Sequence, residues 1–156
     1  MAEPVCVISG VGPGTGTALV RRFAAGGCRI AMLARTAERL ADLAAEVPSA
    51  KAYVCDVSDQ SQVDSTMALV EREMGAPSVL IPPPTALCLG PKGVHVAYIV
   101  IDAVIDVPWA RERFKTKPDD FFIAPAAIAD EAWHVANQPR SAWSFNVEVR
   151  PYGETW

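Results

Sequence analysis

The sequence predicts a single α/β domain, residues 1–156, built on a parallel sheet wound by helices on both faces and shortened relative to a full doubly wound sheet. Two observations lead there. Apolar runs alternate strictly with segments of helical periodicity as far as Ile81, and the runs are apolar at successive positions, as strands covered on both faces require. Beyond Ile81 the alternation breaks at Pro82-Pro83-Pro84, which cannot supply ladder N–H groups and must run extended.

The elements follow in order. Val5 to Ser9 is the first strand, and Thr15 to Ala25 carries Ala18, Leu19 and Phe23 at helical spacing. Arg29 to Ala34 is the second strand. Thr36 can cap a helix whose apolar face is Leu40, Leu43, Ala44 and Val47, stopped by Pro48. Ala52 to Cys55 is a third strand, and Ser58 can cap the helix striped by Val63, Met67 and Val70, which Gly75 ends. Val79 to Ile81 is the fourth. These residues, 1–81, form a βαβαβ half. Residues 82–93 are left as a shortened crossover, about the minimum length for a parallel connection. In 94–156 the pattern predicts a strand over Val94 to Ile101, a helix over Pro125 to Ala136 and a last strand over Phe145 to Val149.

Composition narrows the function classes. Lys plus Arg is 14 and Asp plus Glu is 18, a formal charge of −4, so there is no broad electrostatic footprint for nucleic acid and any bound anion is held locally. The most apolar run, Val94 to Ile105, is interrupted by His95 and Asp102 and is too short to span a bilayer, and the N-terminus lacks the pattern of a secretory signal. The expectation is a cytoplasmic protein with no membrane and no nucleic-acid partner. Cys6, Cys28, Cys55 and Cys88 show no Cys-x-x-Cys spacing and read as reduced core residues.

The strongest chemical signal is Gly10-Val11-Gly12-Pro13-Gly14-Thr15-Gly16, set between a buried strand and a helix. Glycines permit a tight turn and a close backbone approach to a pyrophosphate, whose charge the N–H groups at a helix start attract. A plain tight turn is the alternative. At the end of the second strand an acidic residue would accept from a ribose 2′-hydroxyl. The chain has Arg35 instead, with Arg39 one helical turn on, a pair able to hold a 2′-phosphate and so to favour NADP(H). Otherwise both are solvated side chains.

Gly10-x-x-x-Gly14-x-Gly16 after strand one, Arg35 after strand two and Asp56-Val57 after strand three together resemble the short-chain dehydrogenase/reductase family. Leu89-Gly90-Pro91-Lys92-Gly93-Val94-His95-Val96 and the segment from Gln138 to Trp143 are also similar to later parts of that family. The resemblance implies a Rossmann-type sheet and hydride transfer between NADP(H) and a carbonyl or alcohol. It further implies that Asp56 bonds the adenine amino group, with Val57 beside it. The family's chemistry rests on a Tyr-x-x-x-Lys pair, in which Lys lowers the Tyr pKa. Here the residues four positions after Tyr53, Tyr98 and Tyr152 are Val57, Asp102 and Trp156, so the pair is absent from the sequence. The Asn-Ala-Gly turn is replaced by Pro82-Pro83-Pro84, a fifth strand with its Ser and the catalytic helix find no counterpart, and the Pro-Gly pair near the nicotinamide is replaced by Asp102-Ala103.

Weaker candidates are Asp102 with Asp106 as paired carboxylates, His95 or His134 as metal ligands, and Trp109, Trp133, Trp143 and Trp156 as a packing or subunit surface. The residues therefore lead to an NADP(H)-binding member of an oxidoreductase family that is inactive as written and names no substrate. Two rivals remain open: a non-catalytic interaction module, with homo-oligomerisation through the C-terminal part, and an active reductase whose sequence here lacks an internal block.

Overall fold

The computed structural model describes residues 3–81 and 95–153. The chain divides into two compact units, Met1–Pro83 and Pro84–Trp156.

In the first unit the strands are β1 (Val5–Ser9), β2 (Arg29–Ala34), β3 (Ala50–Val54) and β4 (Pro77–Ile81), separated by helices α1 (Thr15–Ala25), α2 (Ala37–Glu46) and α3 (Gln60–Met74). All pairings are parallel, in the order β3-β2-β1-β4, with Val7 opposite Ala31 and Ala31 opposite Lys51. This is the predicted Rossmann-type arrangement. The two interior strands, β1 and β2, are deeply buried: Cys6, Val7 and Ile8 of β1 and Ile30, Ala31 and Met32 of β2 are all at 0% exposure.

The period-2 alternation of a strand divides these side chains between two faces. Val5, Val7, Ala31, Leu33, Tyr53 and Cys55 pack with Val70 and Met74 of α3, and Val63 and Met67 cover them. Cys6, Ile8, Ile30 and Met32 alternate to the opposite face, where α1 and α2 contribute buried Leu19, Val20, Phe23, Leu40 and Leu43. Burying a side chain of the size of Phe23 or Met32 contributes about 1.5–3 kcal/mol, so the two helical layers, not local propensity, hold the sheet.

Two capping expectations change. Thr36 stands at the N-cap of α2 but its hydroxyl makes no capping bond. The cap of α3 is Asp59, not Ser58: its carboxylate accepts from the backbone N–H groups of Ser61 and Gln62 at 2.9 and 3.3 Å. The third and fourth strands each begin two residues earlier than predicted, because Ala50 pairs with Ile30 and Pro77 with Val5.

The second unit holds β5 (Tyr98–Ile101), β6 (Val104–Ile105), α4 (Pro108–Arg113), a 3-10 turn (Asp119–Phe121), β7 (Phe122–Ile123), α5 (Pro125–Ala136) and β8 (Asn146–Val149). Strands β5 and β8 pair in parallel, as do β6 and β7. The predicted strand over Val94 to Ile101 is four residues long among the described residues, and Val94 lies outside them. Its ladder stops because the chain before β8 forms a turn closed on Gln138. The Gln138 amide accepts from Ser144 N at 2.8 Å and donates to Ser144 Oγ at 2.8 Å. The residues 82–93 assigned to a crossover, including Cys88, also lie outside the described residues. Among the described residues, no helix is long and apolar enough to cross a membrane.

Candidate functional site

The glycine turn leaves the carboxyl end of β1 and enters α1 without a capping side chain. Gly10 has φ +71° and Gly14 φ +102°, values that L side chains resist, so the turn depends on glycine at both positions. The turn is tied to the sheet by Gly10 N, which donates to Leu33 O at 2.9 Å. Thr17 closes its other end, donating to Gly12 O from the backbone at 3.2 Å and from Oγ1 at 3.0 Å. A Cβ on Gly16 would lie 2.8 Å from Val11 Cα and 2.9 Å from Gly10 O, both backbone atoms, so only glycine lets α1 approach the turn this closely. A Cβ on Gly12 would meet only Gly10 O at 3.9 Å. The space over Gly12 is open. Thr15 opens α1, and no acidic residue occupies its first turn.

Arg35 follows β2 and is exposed; Arg39 lies on the first turn of α2 and is exposed as well. Arg39 lines an open concavity of about 290 Å³ together with Gly12, Pro13, Thr17 and Asp42. Its wall is braced by Arg21, which donates to both carboxylate oxygens of Glu46 at 2.7 and 2.9 Å.

Asp56 and Val57 follow β3. Cys55 N donates to Ala34 O at 3.0 Å, holding the start of this loop beside the end of β2. Asp56 Oδ1 accepts from Ser58 N at 3.0 Å and Ser58 Oγ at 2.7 Å. These bonds, helped by the nearby positive charge of Arg35, hold the Asp56 carboxyl below the usual carboxylate range. Arg35 and Asp56, 21 positions apart in sequence, therefore share one patch at the carboxyl end of the sheet. Asp56 Oδ2 and Val57 N make no hydrogen bond to the described residues, and Val57 is 40% exposed.

The weaker candidates separate. Asp102 pairs with Arg150 at 2.9 Å and Asp106 with Arg111 at 2.6 Å, so the two carboxylates serve different arginines. His95 Nε2 donates to Ser144 O at 2.7 Å and its ring stacks on Trp143 at 4.8 Å. His134 is exposed on α5, and no group of metal-ligating side chains occurs among the described residues. Trp109 is 66% exposed. Cys6, Cys28 and Cys55 are buried free thiols, and burial pushes the Cys6 and Cys28 thiols up, away from reactivity.

Tyr53 stands near a lysine without a conventional Tyr-x-x-x-Lys spacing. Its hydroxyl donates to Glu73 Oε2 at 2.9 Å, and Glu73 pairs with Lys51 at 2.8 Å. Burial first, and then Glu73, push the phenol up to about 12, the opposite of what proton donation near neutrality needs. Ser58 and Gln62 are the residues that sequence reasoning missed in their site roles. The signal was present in Asp56-Val57-Ser58-Asp59, where an Asp two residues before a Ser favours an Asx-type turn.

These features define a Rossmann-type α/β protein with a glycine-rich strand-to-helix turn and a charged patch on the carboxyl edge of its sheet. The short chain dehydrogenase family profile matches residues 4–97, and the chain belongs to that family. It is 36% identical over 109 residues to meso-2,3-butanediol dehydrogenase of Serratia marcescens, covering 69% of this chain and 40% of that protein. It is 35% identical over 81 residues to 2,3-dihydro-2,3-dihydroxybenzoate dehydrogenase of Bacillus subtilis (strain 168), covering 49% of this chain and 31% of that one. The chain thus spans less than half the length of these curated relatives. Among solved structures, it is similar to the NADPH-bound short chain oxidoreductase of Pseudomonas aeruginosa PAO1 containing an atypical catalytic center. The TM-score is 0.80 at 17% identity, covering 99% of both chains. A metagenomic short-chain oxidoreductase in complex with NADP gives 0.72 at 18%, covering 98% of this chain and 99% of that one. At such identities the likeness concerns the fold.

Proposed function

We propose that the chain binds NADP(H) at the carboxyl ends of β1, β2 and β3. The observation that carries this reading is the convergence there of an uncapped helix start behind the glycine turn, Arg35, and the Asp56 carboxylate. Gly10 and Gly14 shape the turn, Gly12 leaves room for the pyrophosphate, and Gly16 seats α1 against it. The N–H groups of the first turn, from Thr15 and Gly16, face the phosphate charge. Arg35 holds the 2′-phosphate, with Arg39 a second contact across the concavity beside Gly12. Asp56 Oδ2 accepts from the adenine amino group, and the N–H of Val57 donates to the adjacent ring nitrogen.

The nicotinamide, when bound, supplies the hydride that family members exchange with a carbonyl or alcohol. This chain's part is to hold the adenosine and phosphate portion. The sequence has no Tyr-x-x-x-Lys pair, and Tyr53 is protonated and engaged with Glu73. We infer a nucleotide-binding member of the family without proton-transfer machinery of that kind.

A calorimetric titration with NADPH and NADH tests the reading. NADPH binds saturably and more tightly than NADH, and Arg35→Ala weakens NADPH about tenfold while changing NADH by about twofold or less. Absence of binding by either nucleotide refutes it, and equal losses for both remove Arg35 from phosphate recognition.

A further inference from the structure

The loop after β3 contains more organisation than its exposure requires. Ser58 gives Asp56 Oδ1 two hydrogen bonds, at 3.0 Å from the backbone and 2.7 Å from the hydroxyl. Gln62, one turn into α3, accepts from Asp56 N at 3.0 Å and donates to Asp59 Oδ2 at 3.1 Å. Asp59 N donates to Asp56 O at 3.0 Å, and Asp59 in turn caps α3. The whole loop is thereby anchored to the helix. With Oδ1 taken by Ser58, the acceptor Asp56 Oδ2 and the donor Val57 N, on adjacent residues, are without a hydrogen bond among the described residues.

We propose that Ser58 and Gln62 are positioning residues that make this loop selective for adenine over hypoxanthine, a reading that rests on the nucleotide site proposed above. Adenine offers a donor at its exocyclic amino group and an acceptor at the neighbouring ring nitrogen, the complement of Asp56 Oδ2 and Val57 N. Hypoxanthine reverses both: a carbonyl oxygen faces the carboxylate and a ring N–H faces the backbone N–H. A carboxylate free to rotate could relieve that mismatch by swinging to solvent. Ser58 removes the freedom by fixing Oδ1, and Gln62 removes it for the backbone by fixing the Asp56 N–H. Selectivity then follows from a held acceptor meeting a group that cannot donate, where the penalty is desolvation without a partner.

The test compares NADPH with its hypoxanthine counterpart, reduced nicotinamide hypoxanthine dinucleotide phosphate, by calorimetric titration on the full chain. The wild type prefers NADPH. Ser58→Ala, which deletes the 2.7 Å bond, narrows the preference about fivefold, whereas Ser58→Thr, which keeps a hydroxyl, retains it. Gln62→Glu keeps the acceptor toward Asp56 N but loses the donor to Asp59, and it narrows the preference less than Gln62→Ala. A purely structural role would lower affinity for both nucleotides in proportion and leave the ratio unchanged, and that result overturns the proposal while leaving NADP(H) binding intact. If the wild type binds neither nucleotide, the site reading and this inference fall together.

Discussion

At the scale of single residues, the glycine turn separates two roles that the sequence presents as one motif. Gly16 is required by packing, since its Cβ would collide with backbone at 2.8 and 2.9 Å. Gly12 meets no such obstacle within 3.9 Å. Gly16→Ala therefore forces α1 away from the turn and costs about 1–3 kcal/mol of stability, together with nucleotide binding. Gly12→Ala melts within about 2 °C of the wild type yet weakens NADPH about tenfold or more, because its methyl enters the space assigned to the pyrophosphate. Thermal melting and titration of the two variants check both statements, and normal NADPH affinity in Gly12→Ala would displace the pyrophosphate from that position. Sequence could nominate Gly10, Arg35 and Asp56 because each follows a recognisable strand, so the ends of parallel strands bring them to one edge. The partnership of Ser58 with Asp56 was written in the Asp-x-Ser spacing of an Asx-type turn, but the same Ser also read as a helix cap. The local propensity of Ser for helix caps pointed to α3, and Asp59, a charged acceptor one position later, won that role.

At the scale of elements, legibility follows length. Strands β1 and β2 and helices α1 and α5 span 5 to 12 residues and match their predicted bounds, since each carries a full period of its pattern and has a glycine or proline at or near its start. Strands β6 and β7 have two residues apiece and α4 has six, too short for any period to register. Side-chain pairing marks this region out. Arg111 donates to both oxygens of Asp106, at 2.6 and 2.8 Å, bonds Asp119, and lies 4.1 Å from the centre of the Phe122 ring. It thus joins β6, α4, the 3-10 turn and β7. The Arg111 hydrogen bonds hold the Asp106 carboxyl below the usual range. A carboxyl lowered on folding releases its proton more readily in the folded state, so its contribution is complete above the unfolded value of about 3.9 and is lost as pH falls through the folded one. The melting-temperature difference between wild type and Asp106→Asn is accordingly at full size above about pH 5 and shrinks as the pH drops below about 4. A difference that instead grew on acidification would show that Arg111 does not bond Asp106 in solution.

At the scale of the whole molecule, every residue assigned to nucleotide binding, from Gly10 to Val57, falls within the first unit, whereas all 4 tryptophans fall in the second. Tryptophan emission therefore follows the second unit, while amide exchange can follow each element. A ligand that binds only the folded form stabilises it by mass action, by about 2.7 kcal/mol at a free concentration one hundred times the dissociation constant. That stabilisation acts on the openings that destroy the site. Amides of β1, β2 and α1 that exchange through such openings slow by up to about one hundredfold with NADPH at that concentration, because their open states cannot hold the nucleotide. Amides of α5 and β8 keep their rates, and the melting transition followed by tryptophan emission stays in place. The expectation rests on buried residues found within each unit: Val7, Ala31 and Val70 between the sheet and α3 in the first, and Ile123, Ile128 and Val135 in the second. Hydrogen-exchange mass spectrometry with and without NADPH decides the matter: equal protection across both units would mean that they unfold as one cooperative body, and protection confined to the second would move the nucleotide away from the glycine turn altogether.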